Sequence, residues 1–97
     1  MDAEWDEKKR LSNIDKHGID FFDAVKIFDG TVLVREEHRH DYGEERFSAV
    51  GEADGRILYV VYTPRGNKLR IITARRAGRD ERAQTTHSRK PRQIARW

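Results

Sequence analysis

The chain has 97 residues, of which 36% are hydrophobic and 38% charged, enough for one modest core and too little for two. It has no cysteine, which excludes a disulfide framework and a thiolate zinc site and fits a cytoplasmic setting. The net charge of +3 hides an asymmetry: residues 1–64 hold 9 Lys/Arg against 15 Asp/Glu, and residues 65–97 hold 11 against 2. Such a basic half points to a polyanionic partner or an acidic protein surface. Apolar runs stay short, as in Ile57 to Tyr62, so neither a membrane span nor a signal peptide is expected.

In chain order, Met1 to Trp5 has the length of one strand or an ordered arm, with Trp5 as a packing anchor. Asp6 reads as the N-cap of a first helix that ends at Lys16-His17-Gly18, where cations meet the negative end of the dipole and glycine can take the left-handed position. Leu11 and Ile14 share one face of it. Asp20 caps a second helix, with Asp23 at the capping-box position. Its apolar stripe is Phe21, Ala24, Val25 and Phe28, and Asp29-Gly30 ends it.

From Thr31 the period changes to two. Thr31 to Arg35, Arg46 to Val50, Arg56 to Thr63 and Lys68 to Arg76 read as strands, and Glu36 to Glu44 as a polar loop. Asp54-Gly55 and Pro64-Arg65-Gly66-Asn67 are tight turns, so the strands form an antiparallel meander. A two-residue Asp54-Gly55 loop pairs Phe47 with Tyr62, Ala49 with Val60 and Gly51 with Leu58. A second hairpin centred on Arg65-Gly66 pairs Tyr62 with Leu69, Val60 with Ile71 and Leu58 with Thr73. One face then carries Phe47, Ala49, Leu58, Val60, Tyr62, Leu69 and Ile71, to be buried against the helices. The outward face mixes Val50, Tyr59, Val61 and Ala74 with Arg46, Lys68, Arg70 and Arg76, unless a bulge exchanges the faces. A short helix is expected from Arg79 to Gln84. Beyond it the chain has no apolar period, which divides it into one domain over 1–82 and a basic, mobile tail over 83–97.

A basic face with aromatic residues suits RNA, since Arg and Lys neutralise phosphates while aromatic planes stack on unpaired bases. Cutting RNA without metal requires three things: deprotonation of the 2′-hydroxyl, stabilisation of the pentavalent phosphate, and protonation of the 5′-oxygen. His38, His40 and Asp41 lie close together in the loop, but no further ligand has a predictable position, so neither a metal nor another cofactor is expected. Walker loops, nucleophile elbows and dinucleotide fingerprints do not occur.

The strings Trp5-Asp6-Glu7-Lys8 and Asn13-Ile14-Asp15-Lys16-His17-Gly18-Ile19-Asp20-Phe21 resemble the opening of the BrnT family of bacterial toxins. The resemblance continues through Asp41-Tyr42-Gly43-Glu44-Glu45-Arg46-Phe47 and Val60-Val61-Tyr62-Thr63 to Arg70-Ile71-Ile72-Thr73-Ala74-Arg75-Arg76-Ala77. It ends near Arg82, where family members usually continue as a charged helix. It implies an α+β, RelE-like fold: two N-terminal helices packed on one face of an antiparallel β-meander sheet, with a short C-terminal helix. It also implies the toxin of a type II toxin–antitoxin pair, a metal-independent endoribonuclease that blocks translation. The implied partner is a BrnA-type ribbon-helix-helix antitoxin, through which alone operator DNA would be met. In RelE-like enzymes basic side chains on the open sheet face carry the chemistry. Carried onto this sequence, that selects Arg76, Arg70, Lys68, Arg46 and Arg75, with His17 for proton transfer. Arg65, Tyr59 and Lys16 are the candidates for holding RNA. The alternative reading is a non-catalytic basic module that docks an antitoxin or RNA, and a third is a direct DNA-binding regulator.

Overall fold

The computed structural model describes residues 2–37, 44–87 and 94–96; His38, His40 and Asp41 therefore lie outside the described residues. Elements follow the order β1 (Ala3–Trp5), α1 (Glu7–His17), α2 (Phe21–Ala24, continuing as a 3₁₀ helix over Val25–Asp29), β2 (Val32–Glu36), β3 (Phe47–Ala53), β4 (Arg56–Arg65), β5 (Lys68–Arg76), α3 (Arg79–His87) and β6 (Ile94–Arg96). One sheet runs β1-β5-β4-β3-β2-β6.

The four central strands form the expected antiparallel meander, whereas β1 and β6 lie parallel to β5 and β2. The sheet is thus mixed, and the expected purely antiparallel sheet is corrected at both edges. The N-terminal strand enters beside β5, with Glu4 opposite Arg70. At the other end α3 runs past Gln84 to His87, and Ile94–Arg96 forms a strand where no regular element was expected.

Local chemistry sets the ends of the helices as read. The Asp6 carboxylate accepts from the backbone N–H of Lys8 and Lys9, and Gly18 closes α1 at φ +70°. Asp20 caps α2 by accepting from Phe22 N–H. The stripe of the second helix is corrected: because the chain tightens to 3₁₀ after Ala24, burial follows a three-residue spacing through Phe21, Ala24 and Ile27, with Val25 and Phe28 only partly buried. This segment lies so close to β3 that a Cβ on Gly51 would stand 3.1 Å from Ile27 Cβ and 3.0 Å from Val32 Cγ1. Glycine is what permits the approach.

The first hairpin has the expected register, with Phe47 opposite Tyr62 and Gly51 opposite Leu58. Asp54 (φ +53°) and Gly55 (φ +82°) supply the two positive dihedrals of a type I′ turn. The second hairpin differs from expectation. Its two-residue loop is Gly66-Asn67, pairing Arg65 with Lys68 and Tyr62 with Ile71. A bulge at Ile72 then shifts the ladder, so that Val61 faces Thr73, Tyr59 faces Arg75 and Leu58 faces Arg76. The shift exchanges the faces of the end of β5. Ala74 turns into the core, Arg75 takes the outward face, and Arg76 leaves it.

The core lies on one face, where Ala49, Leu58, Val60, Tyr62, Ile71 and Ala74 meet Ile19, Phe21, Ala24 and Ile27. Each large apolar side chain buried there contributes about 1.5–3 kcal/mol. Tyr62 stacks on Phe47 and meets Phe28 edge-on. Trp5 packs edge-on against Phe21 and Phe22, the anchor role expected of it.

The two N-terminal helices do not share the covering of this face, which corrects the expected architecture. The 19–28 segment covers it, while α1 runs along β5, buries only Asn13 and leaves Leu11 55% exposed. A smaller cluster on the other face joins Val50, Tyr59 and Val61 to Ala77, at the entry to α3.

Candidate functional site

Asn13 sets the position of α1. Its side-chain amide donates to the carbonyls of Ile19 (2.9 Å) and Ala74 (2.8 Å), and its Oδ1 accepts from Ala74 N–H (3.0 Å) and Thr73 Oγ1 (3.1 Å). Ala74 lies just past the last β1 pairing, so Asn13 supplies the partners that a neighbouring strand would give. His17 sits four residues on, hence on the same helix face, and comes to lie beside Thr73.

The result is a cleft of about 320 Å³ on the sheet face opposite the core. His17, Glu37, Arg46, Tyr59, Thr73 and Arg75 line it, with Val61 and Ile72 as apolar floor. Glu37 and Arg46 reach it together because Glu37 N–H donates to the Arg46 carbonyl (2.8 Å), extending the β2–β3 ladder by one step. Tyr59 is 8% exposed, and its hydroxyl donates to Glu37 Oε2 at 3.3 Å.

Arg75 is tightly held within the cleft. Its guanidinium carbon lies 3.9 Å from the centroid of the Tyr59 ring. Nη1 and Nη2 donate to Glu81 Oε1 (2.9 Å) and Oε2 (3.0 Å), and Nη1 donates also to the Arg76 carbonyl (3.0 Å). Glu81 accepts in addition from Gly78 N–H (2.6 Å), capping the first turn of α3. Burial pushes the Glu81 carboxyl up, but its bonds from Arg75 and Gly78 outweigh this and hold it below the usual range.

Of the nine residues named from sequence, four line this cleft: His17, Arg46, Tyr59 and Arg75. Arg70 is held by Glu4 (2.7 Å) beside β1. Arg65 and Lys68 are exposed on the β4–β5 turn, Arg65 reaching Glu44 at 4.0 Å. Arg76 is exposed at the strand end, and Lys16 is exposed on α1 outside the cleft. The expected convergence of cations is therefore narrower than the sequence suggested. Glu37, Thr73 and Glu81 were not foreseen. An acidic residue ending β2 and a Glu three residues after Gly78 were the available signals. A wider hollow of about 820 Å³ beside the 3₁₀ segment contains none of the predicted residues, and its Lys26 is committed to Asp54 (2.9 Å) and Asp23 (3.3 Å). No helix among the described residues is long and apolar enough to cross a membrane.

A small α+β domain whose sheet bears a cleft with guanidinium, imidazole and carboxylate groups carries the kinds of side chain that phosphodiester chemistry uses. Residues 5–81 match the family described as the ribonuclease toxin, BrnT, of type II toxin–antitoxin systems, and the chain belongs to that family. No curated protein matches the chain. Family membership makes it a type II ribonuclease toxin, with an antitoxin as partner and RNA as target.

Proposed function

We propose that this toxin cuts RNA in the cleft between His17 and Arg75, without a metal ion, and thereby stops translation. The observation that carries the reading is that two guanidinium groups, an imidazole and a carboxylate line one cleft on one sheet face. Glu37 accepts the proton of a ribose 2′-hydroxyl as O2′ attacks the adjacent phosphorus. Arg75 and Arg46 neutralise the charge that gathers on the phosphoryl oxygens. The P–O5′ bond breaks, and the His17 imidazolium gives its proton to the departing O5′. The products are a 2′,3′-cyclic phosphate and a 5′-hydroxyl end. Tyr59 forms the floor under Arg75. Lys16, Arg65 and Lys68 hold the flanking backbone, and Arg70 and Arg76 act as outlying cations rather than at the phosphate. A BrnA-type ribbon-helix-helix antitoxin neutralises the toxin and carries the complex to operator DNA.

The test is purified chain, freed of any partner, incubated with single-stranded RNA in excess EDTA. Fragments with cyclic phosphate ends are expected, and Arg75→Ala or His17→Gln should each lower the rate about 10²-fold. RNA left intact at micromolar protein, together with harmless expression of the chain alone, would count decisively against nuclease action and favour a binding module.

A further inference from the structure

The hydrogen bonds of Arg75 account for three of its five N–H groups. Glu81 takes one from each terminal nitrogen, and the Arg76 carbonyl takes the second hydrogen of Nη1. The two that remain, on Nε and Nη2, are parallel and lie along the other edge of the same plane. That edge is the fork which grips phosphate or carboxylate in bidentate fashion. The Tyr59 ring lies against the guanidinium at 3.9 Å, so the plane itself is fixed from below.

Building on the nuclease reading above, we infer that Glu81, on the first turn of α3, is a positioning residue that holds Arg75 so that its Nε–Nη2 edge grips the scissile phosphate. The carboxylate is itself anchored by Gly78 N–H at 2.6 Å. It is therefore a fixed post, and α3 becomes part of the site. The arrangement also predicts a particular kinetic signature. Glu81 brings negative charge near the ground-state phosphate, which opposes binding, while its orientation of Arg75 favours the more highly charged transition state. Removing it should lower kcat and leave KM unchanged or lower.

Two measurements test this on the full chain. The first follows the Arg75 Nε–H resonance by NMR, assigned through Arg75→Lys, while inorganic phosphate is added. In the parent this signal should shift selectively, and in Glu81→Gln the selectivity should be lost. A signal indifferent to phosphate at saturation overturns the inference, whether or not the chain cuts RNA. The second is a double-mutant cycle on RNA cleavage. Glu81→Gln should lower kcat about tenfold in the parent and have less than a twofold effect in the Arg75→Ala background. Equal losses in both backgrounds would show that Glu81 acts only through the fold of α3, and Glu81→Asp should recover part of the loss if it acts on Arg75. Parent chain that leaves RNA intact rejects the nuclease reading alone, since the phosphate titration still decides the role of Glu81.

Discussion

Asn13 is the residue on which the geometry of the cleft turns. It is 5% exposed and satisfies both backbone groups of Ala74, the first core position after the β5 bulge. Removing its amide leaves a buried N–H and two buried carbonyls without these partners, and each such loss costs about 1–3 kcal/mol. Asn13→Ala should therefore destabilise the chain by at least about 3 kcal/mol, read as a lower urea midpoint with an unchanged slope. Asn13→Asp should be at least as damaging, because a carboxylate would face the Ile19 and Ala74 carbonyls. An Asn13→Ala midpoint equal to that of the parent would mean that the side chain does not hold α1. At this scale the caps and turn residues were legible, since Asp6, Gly18, Asp20 and Gly55 act on neighbours within a few positions. Asn13 was not, because its chief partner lies 61 residues away and no local pattern marks it. The residues by which α1 reaches β5 and the cleft are polar, Asn13 and His17, so the shared face of Leu11 and Ile14 did not mark where the helix docks.

Elements tell a similar story with a different boundary. The period-two reading located β2 to β5, and the Asp54-Gly55 turn chemistry fixed one register completely. The Gly66-Asn67 loop and the place of the bulge at Ile72 escaped it, because the Pro64-Arg65-Gly66-Asn67 string allows either centring and no local residue pattern marks where a bulge falls. That one extra residue decides which arginine of the Arg75-Arg76 pair enters the cleft. The next element, α3, then depends on Glu81 for its first turn. Its carboxyl is held below the usual Glu range despite burial. A group with a depressed value in the folded state stabilises fully above its unfolded value, about 4.3 for Glu, and that contribution disappears as pH falls through the folded value. Glu81→Gln should thus cost about 1 kcal/mol at pH 7, as for other losses of a helix cap. The gap between its urea midpoint and that of the parent should narrow from pH 5 toward pH 3. A gap that stays constant over this range would show that the charge of Glu81 is not its source.

For the molecule as a whole, the division into an acidic first part and a basic second part does not survive folding. The sheet sets β1 beside β5 and so joins Glu4 to Arg70 across 66 residues, while Glu44 stands near Arg65. Even inside the basic part, Arg75 is matched by Glu81. Counting cations along the chain therefore overstates the charge available to a polyanion. Each phosphate neutralised on a single strand contributes about −0.7 to the slope of log Kobs against log salt concentration, so 11 independent cations would give a slope of about −8. Arg46 and Arg75 of the cleft alone would give about −1.4, and Lys16, Arg65 and Lys68 on the flanking backbone would bring it to about −3.5, so the slope should lie between these two values. Anisotropy titrations of a 2′-O-methyl RNA, which offers no attacking hydroxyl, measure it between about 50 and 200 mM salt. Arg46→Ala should reduce the slope by about 0.7 if that guanidinium neutralises one phosphate. A parent slope near −8 would instead mean that nearly every cation of residues 65–97 meets phosphate, including Arg70, so that its ion pair with Glu4 in the free chain is exchanged for a phosphate contact.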